Sequence, residues 1–334
     1  MCASPAGGRR LAEGVARDEG ATKMKGRAPI DGLVTEGDLA EAARLDCMST
    51  REVLELIARE DAKVAVAVAR ALPEIERAVE LVRARLAAGG RLFFVGCGTS
   101  GRLGAMEAAE CPPTFGTPSS MVRAVVAGGR RALWRSVEGA EDEREGAWPE
   151  LERAALSAVD AVVGIAASAG TPFVEGALDY ARGVGAATVL VACNSVGGSP
   201  RADVDICVDV GPEVIAGSTR MKSGTATKMV LNMLTTAAMV GLGKTYGNLM
   251  VEVRPASEKL KMRQERIVMK LVGVDRKEAR RLLEMAGRDV KTAVVVGRLG
   301  VTVREAKRRL VEARGRLRAA LGEGVPGGGK RVQR

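Results

Sequence analysis

Residues 91–104 read Arg-Leu-Phe-Phe-Val-Gly-Cys-Gly-Thr-Ser-Gly-Arg-Leu-Gly, an apolar run followed directly by a glycine-rich turn. A short uninterrupted apolar run of this kind is typical of a strand buried on both faces of a parallel sheet. Similar runs lie at residues 121–127, 161–167, 187–193 and 206–210, and helix-compatible segments separate them at residues 102–110, 130–157, 172–184 and 222–242. This alternation predicts an α/β fold, with a doubly wound parallel sheet and helices on both of its faces.

The segments on either side of this region are predicted to be helical. Ser49-Thr50-Arg51-Glu52 has the pattern of a capping box, and a second helix is expected from residue 60 to 88 with an interruption near Pro73. Three short helices are expected to begin near residues 273–278, 288–290 and 302–305. We therefore predict a disordered extension over residues 1–34, an α/β domain with N-terminal helices over 35–258, a C-terminal helical domain over 259–321, and a flexible basic tail over 322–334.

The chain contains no histidine, and this restricts its chemistry. Every Ser-His or Cys-His catalytic arrangement is excluded, so a general acid or base must be a carboxylate, Lys, Tyr, Cys or water. The six cysteines are scattered and form no Cys-x-x-Cys pair, which predicts reduced thiols in a cytoplasmic protein rather than disulfides or a zinc site. The chain contains no run of about 18 apolar residues, so no membrane span is predicted.

The net charge of +10 is unevenly distributed along the chain. Residues 259–334 hold 22 Lys and Arg against 8 Asp and Glu, whereas residues 35–258 hold 23 against 29. A solvated helical face accounts for the basic quarter better than a nucleic-acid surface does, and aromatic residues at 2% are too few for a base-stacking platform. Nucleic acid is therefore not expected as a partner.

Three hydroxyl-rich turns are candidates for binding a phosphorylated ligand. They lie at residues 96–102, 166–172 and 217–225, each ahead of a predicted helix. Glycines let the backbone approach an anion, and hydroxyls and free N–H groups at a helix start donate to phosphate oxygens. The alternative for any one of them is a plain tight turn, but together they favour a phosphate site. The candidate binding residues are Gly98, Thr99, Ser100, Arg102, Ser168, Thr171, Ser218, Thr219 and Lys222.

Two acidic positions are candidates for acid–base chemistry. Pro112 and Pro113 are expected to end the helix that begins near Ser100, which would place Glu110 in its last turn. There the negative end of the helix dipole would disfavour ionisation and suit a general acid. The second position is Glu141, in the acidic cluster at residues 138–143. The structural alternatives are an exposed terminal glutamate and a solvated acidic face.

Longer motifs around these positions resemble one known family. They are Gly-Cys-Gly-Thr-Ser-Gly-Arg-Leu-Gly at residues 96–104, Ala-Glu-Cys-Pro-Pro-Thr-Phe-Gly at 109–116, Val-Glu-Gly-Ala-Glu-Asp at 137–142, Gly-Pro-Glu-Val-Ile-Ala-Gly-Ser-Thr-Arg-Met-Lys at 211–222, and Tyr-Gly-Asn-Leu-Met-Val at 246–251. Their order and content are similar to those of the N-acetylmuramic acid 6-phosphate etherases of the sugar isomerase (SIS) domain superfamily. The similarity runs from about Thr35 to Leu321.

The resemblance implies a three-layer SIS sandwich, a homodimer, and neither a metal nor an organic cofactor. It also implies a lyase of cell-wall amino sugar recycling that removes the D-lactyl ether from N-acetylmuramic acid 6-phosphate, giving N-acetylglucosamine 6-phosphate and D-lactate. Two family glutamates match Glu110 and Glu141. One would take the C2 proton and the other would protonate the leaving oxygen, and their assignment stays open.

Ser100 and Glu110 would lie roughly 15 Å apart along one helix, too far to serve one sugar phosphate. A site shared across a dimer interface is therefore expected. The family's usual Ser-Gly-Arg-Thr-Pro is here Ser168-Ala169-Gly170-Thr171-Pro172, which removes a cation from a substrate loop, and its Thr-Glu-x-Arg-Asn-Pro opening is here Thr35-Glu36-Gly37-Asp38-Leu39-Ala40. The alternatives are a non-catalytic SIS-domain sugar-phosphate sensor, which need not keep both glutamates, and an aldose–ketose phosphate isomerase.

Overall fold

The computed structural model describes residues 32–195, 200–255 and 257–324. The extension predicted over residues 1–34 and the tail predicted over 322–334 lie almost entirely outside the described residues. None of the helices in the described ranges has both the length and the apolar character needed to cross a membrane.

A parallel sheet forms the centre of the chain, as the alternating pattern predicted. In the described residues its strands are β1 (Leu92–Gly96), β2 (Val122–Val126), β3 (Ala161–Ile165), β4 (Ala187–Ala192) and β5 (Val204–Cys207). They are arranged in the order β2-β1-β3-β4-β5, with Leu92 in register with Val122 on one side and Ala161 on the other. Every residue of β1, β3 and β4 is buried, because helices cover both faces of the sheet.

Alternate side chains of the strands enter two separate apolar cores. The helices that cover the sheet are α1 (Thr50–Arg70), α2 (Leu72–Ala87), α3 (Gly98–Phe115), α4 (Trp148–Arg153), α5 (Pro172–Gly183) and α6 (Lys222–Gly241). Phe94 and Val163 belong to the core under α1, α2, α6 and the end of α3, and Phe93 and Val162 belong to the core under α4 and α5. The result is the predicted three-layer α/β/α sandwich.

The start of α1 was predicted correctly and has a clear local cause. Ser49 accepts a hydrogen bond from the backbone N–H of Glu52, and the Glu52 carboxylate accepts one from the backbone N–H of Ser49 at 2.7 Å. This capping box satisfies two donors that the first helical turn leaves without partners.

The prediction that Pro112 and Pro113 end α3 was wrong. The helix continues through both prolines to Phe115 and stops at Gly116, whose left-handed conformation (φ +65°) caps it with an N–H bond to the Pro112 carbonyl. Cys111 and Phe115 are buried against the sheet, so tertiary packing offsets the cost of two prolines inside the helix. Glu110 consequently lies before the last turn of α3. The negative end of the helix dipole is therefore not at Glu110, where it was expected to disfavour ionisation.

The helix predicted over residues 130–157 was also wrong. A 3-10 segment (Gly129–Leu133), turns, and the short α4 occupy this region. Like charges crowd residues 138–145, where adjacent carboxylates would repel one another on a helix. Arg144 instead pairs with Glu175 and Asp179 on α5, so long-range contacts replace local helical structure.

The C-terminal helices enclose a third apolar core of their own. They are α7 (Glu258–Val268), extended by a π-helical turn (Met269–Gly273), α8 (Arg276–Met285), α9 (Val290–Leu299), α10 (Val303–Glu312) and α11 (Leu317–Ala320). Asp275, Asp289 and Thr302 each accept a backbone hydrogen bond at the starts of α8, α9 and α10, where helix starts were predicted. α7 and α11 were not separately predicted.

Candidate functional site

A cleft of about 300 Å³ lies at the carboxyl ends of β1 and β3. β1 is paired with β2 on one side and β3 on the other, so the chain order reverses here, and ligands of open α/β sheets bind at such a reversal. The described residues that line the cleft come from the N-terminal segment, the predicted turns and the acidic loop: Leu33, Glu36, Cys97, Gly98, Thr99, Ser100, Glu141, Ile165, Ala166, Ala167, Ser168, Gly170, Thr171, Gly217 and Thr219.

The first predicted turn leads from β1 into the open start of α3. A Cβ on Gly101 would lie 2.5 Å from the carbonyl oxygen of Gly96, so the close approach of strand and helix requires glycine here. No side chain caps α3, and the first helical hydrogen bond is made by the N–H of Gly101 to the Cys97 carbonyl. The N–H groups of the preceding turn, beside the hydroxyls of Thr99 and Ser100, therefore form a donor set suited to an anion.

The second predicted turn leads from β3 into α5. Ser168 and Thr171 line the cleft, and Pro172 occupies the first helical position, where its missing N–H costs no hydrogen bond. Ala169 between them has φ +63°, a left-handed conformation that costs a non-glycine residue about 1 kcal/mol. No side chain caps α5, so this helix start also opens towards the cleft.

The third predicted turn reaches the cleft through Gly217 and Thr219, whereas Ser218 and Lys222 do not line it. Lys222 is buried at the start of α6, and its ammonium pairs with the buried Glu60 carboxylate of α1 at 2.7 Å. The α6 start is itself occupied, because Glu213 accepts the backbone N–H bonds of Lys222 and Ser223. The structure thus brings one hydroxyl of this turn to the cleft and uses the lysine in an ion pair between two helices.

Glu141 lies in the cleft although the loop that carries it is exposed. Its backbone carbonyl accepts the N–H of Phe173 at 3.0 Å, which ties the acidic loop to the first turn of α5. Burial, and then the negative charges of Glu141 and Asp142, raise the pKa of the neighbouring Cys97 thiol to about 12. Cys97 is therefore a neutral wall of the cleft at physiological pH rather than a nucleophile.

Glu110 and Arg102 do not line the cleft, although both lie on α3. Glu110 is exposed on the helix surface, ten residues beyond Ser100. Arg102 donates through Nε to the carbonyl of Ala132 at 2.9 Å, and this bond orients it towards the 3-10 segment that follows β2. The two predicted catalytic glutamates are thus not brought together within a single chain.

Two cleft residues, Leu33 and Glu36, were missed by sequence reasoning. They belong to the N-terminal turn, which we define as residues 33–37 and which contains a 3-10 segment (Val34–Glu36). The sequence contained one signal for it, since Thr35-Glu36 keeps the first two residues of the family's usual opening. That signal did not show where the turn would lie, because its contacts are with residues far along the chain.

A chain of ion pairs joins two of the loops that form the cleft. Glu175 on α5 pairs with Arg201 through Oε1 at 2.6 Å and with Arg144 through Oε2 at 2.8 Å. Arg201 also donates to the backbone carbonyl of Ala169, and Arg144 follows Glu141 by three residues. Glu175 therefore connects the Ser168–Thr171 turn to the acidic loop. These residues line a separate pocket of about 250 Å³ behind the turn.

The cleft combines hydroxyl and N–H donors with carboxylates. Among its described lining residues Glu36 and Glu141 are acidic, and none is Lys or Arg. Within the described ranges, no three Cys, Asp or Glu side chains stand close enough together to hold a metal ion. Such a cleft can bind an anion at its helix starts and can place a carboxylate beside the rest of the ligand.

Comparison with known proteins gives similarity over most of the chain. A protein named N-acetylmuramic acid 6-phosphate etherase from Edwardsiella ictaluri is 51% identical over 295 residues, covering 88% of this chain and 98% of that protein. A protein of the same name from Geobacillus thermodenitrificans is 50% identical, covering 87% and 99% respectively. A family model described as the glucokinase regulatory protein N-terminal SIS domain matches residues 74–182. The solved structure of a phosphoheptose isomerase from Francisella tularensis covers 58% of this chain and all of that chain, at 14% identity and a TM-score of 0.46.

Proposed function

Because this chain belongs to the N-acetylmuramic acid 6-phosphate etherases, we propose that its cleft is where the D-lactyl ether of N-acetylmuramic acid 6-phosphate is cleaved. The products are N-acetylglucosamine 6-phosphate and D-lactate. The observation that carries this function is the 51% identity that extends over 98% of the Edwardsiella ictaluri etherase. The position of Glu141 beside two open helix starts supports it.

The phosphate is proposed to bind at the starts of α3 and α5. Backbone N–H groups, including that of Gly98, and the hydroxyls of Thr99, Ser100, Ser168 and Thr171 surround this part of the cleft, and Thr219 contributes from the third turn. Two helix starts without side-chain caps supply partial positive charge, which compensates for the lack of Lys and Arg among the described lining residues. Arg102, Ser218 and Lys222 do not line the cleft, so they are not proposed to contact the phosphate directly.

The reaction is proposed as an elimination followed by hydration. A base removes the proton at C2, the electron pair forms a C2–C3 double bond, and the C3–oxygen bond breaks as an acid protonates the departing lactyl oxygen. Water then adds its hydroxyl to C3 and its proton to C2. Glu141 and Glu110 are the proposed base and acid, in either assignment, because carboxylates can fill both roles in a chain without histidine.

Glu110 is proposed to reach this reaction in the cleft of a partner subunit. It lies roughly 15 Å from Ser100 along α3, which exceeds the span of a sugar phosphate. Met106, one turn earlier on the same face of α3, leaves 42% of its surface exposed, as an interface residue of an isolated chain would. A homodimer in which each cleft takes Glu110 from the other chain accounts for both observations.

The proposed setting is the cytoplasm, in the recycling of cell-wall amino sugars. All five cysteines in the described ranges are free thiols, as a reducing compartment maintains them. The relatives named as etherases favour catalysis over the alternative of a sugar-phosphate sensor.

The experiment that tests the function is lactate release from N-acetylmuramic acid 6-phosphate by the purified chain. We expect D-lactate and N-acetylglucosamine 6-phosphate in equal amounts, and Glu110→Gln or Glu141→Gln should each abolish release while binding of the sugar phosphate persists. Binding by the unsubstituted chain without release would instead support the sensor.

Mixed dimers test the shared cleft. Combining Glu110→Gln chains with Glu141→Gln chains restores both carboxylates to one of the two clefts in each mixed dimer. We expect recovery of about half the wild-type rate per mixed dimer, which follows from independent sites. Mixed dimers that stay inactive would contradict a site completed by the partner.

A further inference from the structure

We propose that Glu36 is a substrate-binding residue that accepts hydrogen bonds from the sugar part of the ligand, and that the N-terminal turn exists to hold it in the cleft. This inference rests on the proposed function and identifies the residue that would distinguish an amino sugar phosphate from phosphate alone.

Thr35 is fully buried and is hydrogen bonded on several sides. Its backbone N–H donates to Oδ1 of Asn194 at 3.3 Å, and its hydroxyl accepts from Nδ2 of Asn194 at 2.9 Å. The Thr35 carbonyl accepts the N–H of Gly217 at 3.1 Å. Since Asn194 follows β4 and Gly217 belongs to the third turn, two segments far along the chain fix this residue.

Asn194 extends the connection to the substrate loop. Its Nδ2 also donates to the carbonyl of Ala167 at 2.8 Å, and Ala167 directly precedes Ser168. Asn194 is itself buried, so the bonds it makes are shielded from competition with water. The N-terminal turn and the Ser168–Thr171 turn are therefore positioned relative to each other by one amide.

Glu36 follows the fixed residue directly, and its carboxylate passes beside Gly217. A Cβ built on Gly217 would lie 2.5 Å from Oε2 of Glu36 and 3.4 Å from Oε1. Gly217 has φ +73°, so both its conformation and the space that the carboxylate needs favour glycine. The third turn thus leaves room for the Glu36 side chain at the wall of the cleft.

The chemistry of a carboxylate in this place indicates what it binds. An ionised carboxylate only accepts hydrogen bonds and repels phosphate, so it must face the part of the ligand that carries donors. The sugar offers hydroxyl groups and an acetamido N–H, whereas the phosphate is accommodated by the helix starts of α3 and α5. The donor groups of the sugar are therefore expected to face the wall of the cleft that Glu36 forms.

The first test is steady-state kinetics of Glu36→Ala and Glu36→Gln with N-acetylmuramic acid 6-phosphate. Loss of a charged hydrogen-bond acceptor should raise KM about tenfold to a hundredfold in Glu36→Ala, with kcat changed by less than about threefold. Glu36→Gln keeps a carbonyl acceptor and should give a smaller rise. Asp38→Asn, an exposed position two residues on that does not line the cleft, is the charge-matched control and should match wild type.

The opposite kinetic pattern would overturn the proposal. A fall in kcat at unchanged KM in Glu36→Gln, with loss of one limb of the pH–rate profile, would mean that Glu36 transfers a proton instead.

Thr35→Val, which removes the hydroxyl bonded to Asn194 but keeps Glu36, should reproduce part of the KM increase. Wild-type KM in that variant would contradict the positioning part of the argument.

A binding measurement separates this proposal from the proposed function. Calorimetry with N-acetylglucosamine 6-phosphate and with inorganic phosphate requires no turnover, so it can be read even if the wild-type chain releases no lactate. We expect wild type to prefer the sugar phosphate, and Glu36→Ala to lose about tenfold of that preference while its affinity for inorganic phosphate stays the same. Equal affinity of both proteins for the sugar phosphate would reject the proposed role of Glu36.

Discussion

The guanidinium of Arg201 is hydrogen bonded to the backbone carbonyl of Ala169, the residue of the Ser168–Thr171 turn that holds a left-handed conformation. The same guanidinium pairs with Glu175. Arg201 therefore holds the Ser168–Thr171 turn in place, although alanine does not favour the conformation found at position 169. Arg201 lies on the opposite side of this turn from the cleft and does not line the cleft.

Removing the Arg201–Ala169 hydrogen bond should weaken catalysis more than it weakens the fold. In Arg201→Met the Ser168–Thr171 turn loses an anchor, and small displacements of substrate-positioning groups cost up to about a hundredfold in rate. We expect kcat/KM for lactate release to fall about tenfold or more, with faster hydrogen exchange at residues 168–171. Arg201→Lys should recover only part of this loss, because one ammonium replaces a planar fork.

Asp179→Asn is the matched control for Arg201→Met. Asp179 pairs with Arg144 and Arg182 in the same network, whereas the ion pair and hydrogen bond to Glu175 and Ala169 are made by Arg201. Its variant should keep near-normal exchange at residues 168–171. If it perturbs that turn as strongly as Arg201→Met does, the effect belongs to the whole network and not to the Arg201–Ala169 bond.

Asp160 should make the stability of the sheet dependent on acid pH. Burial alone would raise the pKa of this carboxyl, but hydrogen bonds from Arg91 and Ser157 hold it below its ordinary value. A depressed pKa contributes stability that is present above the unfolded-state pKa of about 3.9 and is lost as the pH falls through the folded-state value. The difference in unfolding free energy between wild type and Asp160→Asn should be about 2 kcal/mol at pH 7.

Urea unfolding at pH 7, 5 and below 4 measures this difference. It should hold between pH 7 and 5 and shrink below about pH 4. Asp61→Asn, at an exposed position on α1, is the control for a general change of charge. A difference between wild type and Asp160→Asn that stays constant across the whole range would contradict the assignment.

The buried pair of Glu60 and Lys222 should be costly to break on one side. Lys222→Met leaves the Glu60 carboxylate, which is only 3% exposed, with the more exposed Lys63 as its remaining partner. Removing one member of a buried ion pair costs about 3 kcal/mol, whereas replacing both members by apolar residues is often neutral. In urea unfolding at pH 7, Glu60→Met/Lys222→Met should therefore be more stable than Lys222→Met. The reverse order would mean that the exposed Lys63 suffices.

Lys291 should hold the C-terminal helices against the end of α6. Its buried ammonium on α9 donates to the carbonyls of Gly243 at 3.0 Å and Gly315 at 2.6 Å, and it pairs with Glu252. Lys291→Met would leave these groups without their donor, at a cost of about 2 kcal/mol. Hydrogen exchange should accelerate in α9 to α11, whereas Lys261→Met, which removes a partly exposed lysine from α7, should leave it unchanged.

Much of the fold could be predicted because its signals are local. The strands were located within a few residues, since each is a continuous apolar run, and the cap at Ser49 and the starts of α8 and α10 were predicted from adjacent residues. The turns after β1 and β3 were located for the same reason, and parallel topology necessarily gathers them at one edge. The continuation of α3 through Pro112 and Pro113 was not predictable in this way, because buried contacts of Cys111 and Phe115 outweigh a local rule.

The sequence by itself therefore determined the layered α/β architecture, the positions of the candidate phosphate-binding turns and, through the motif around it, the candidacy of Glu141. Only the tertiary structure decided that Glu36 shares the cleft with Glu141, that Glu110 does not, and that Lys222 is used in an ion pair. The physical reason is sequence separation: Thr35 and Asn194 are 159 residues apart, and Lys222 and Glu60 are 162 apart. Contacts of that range arise when packed layers bring distant segments together, and no local pattern of residues encodes them.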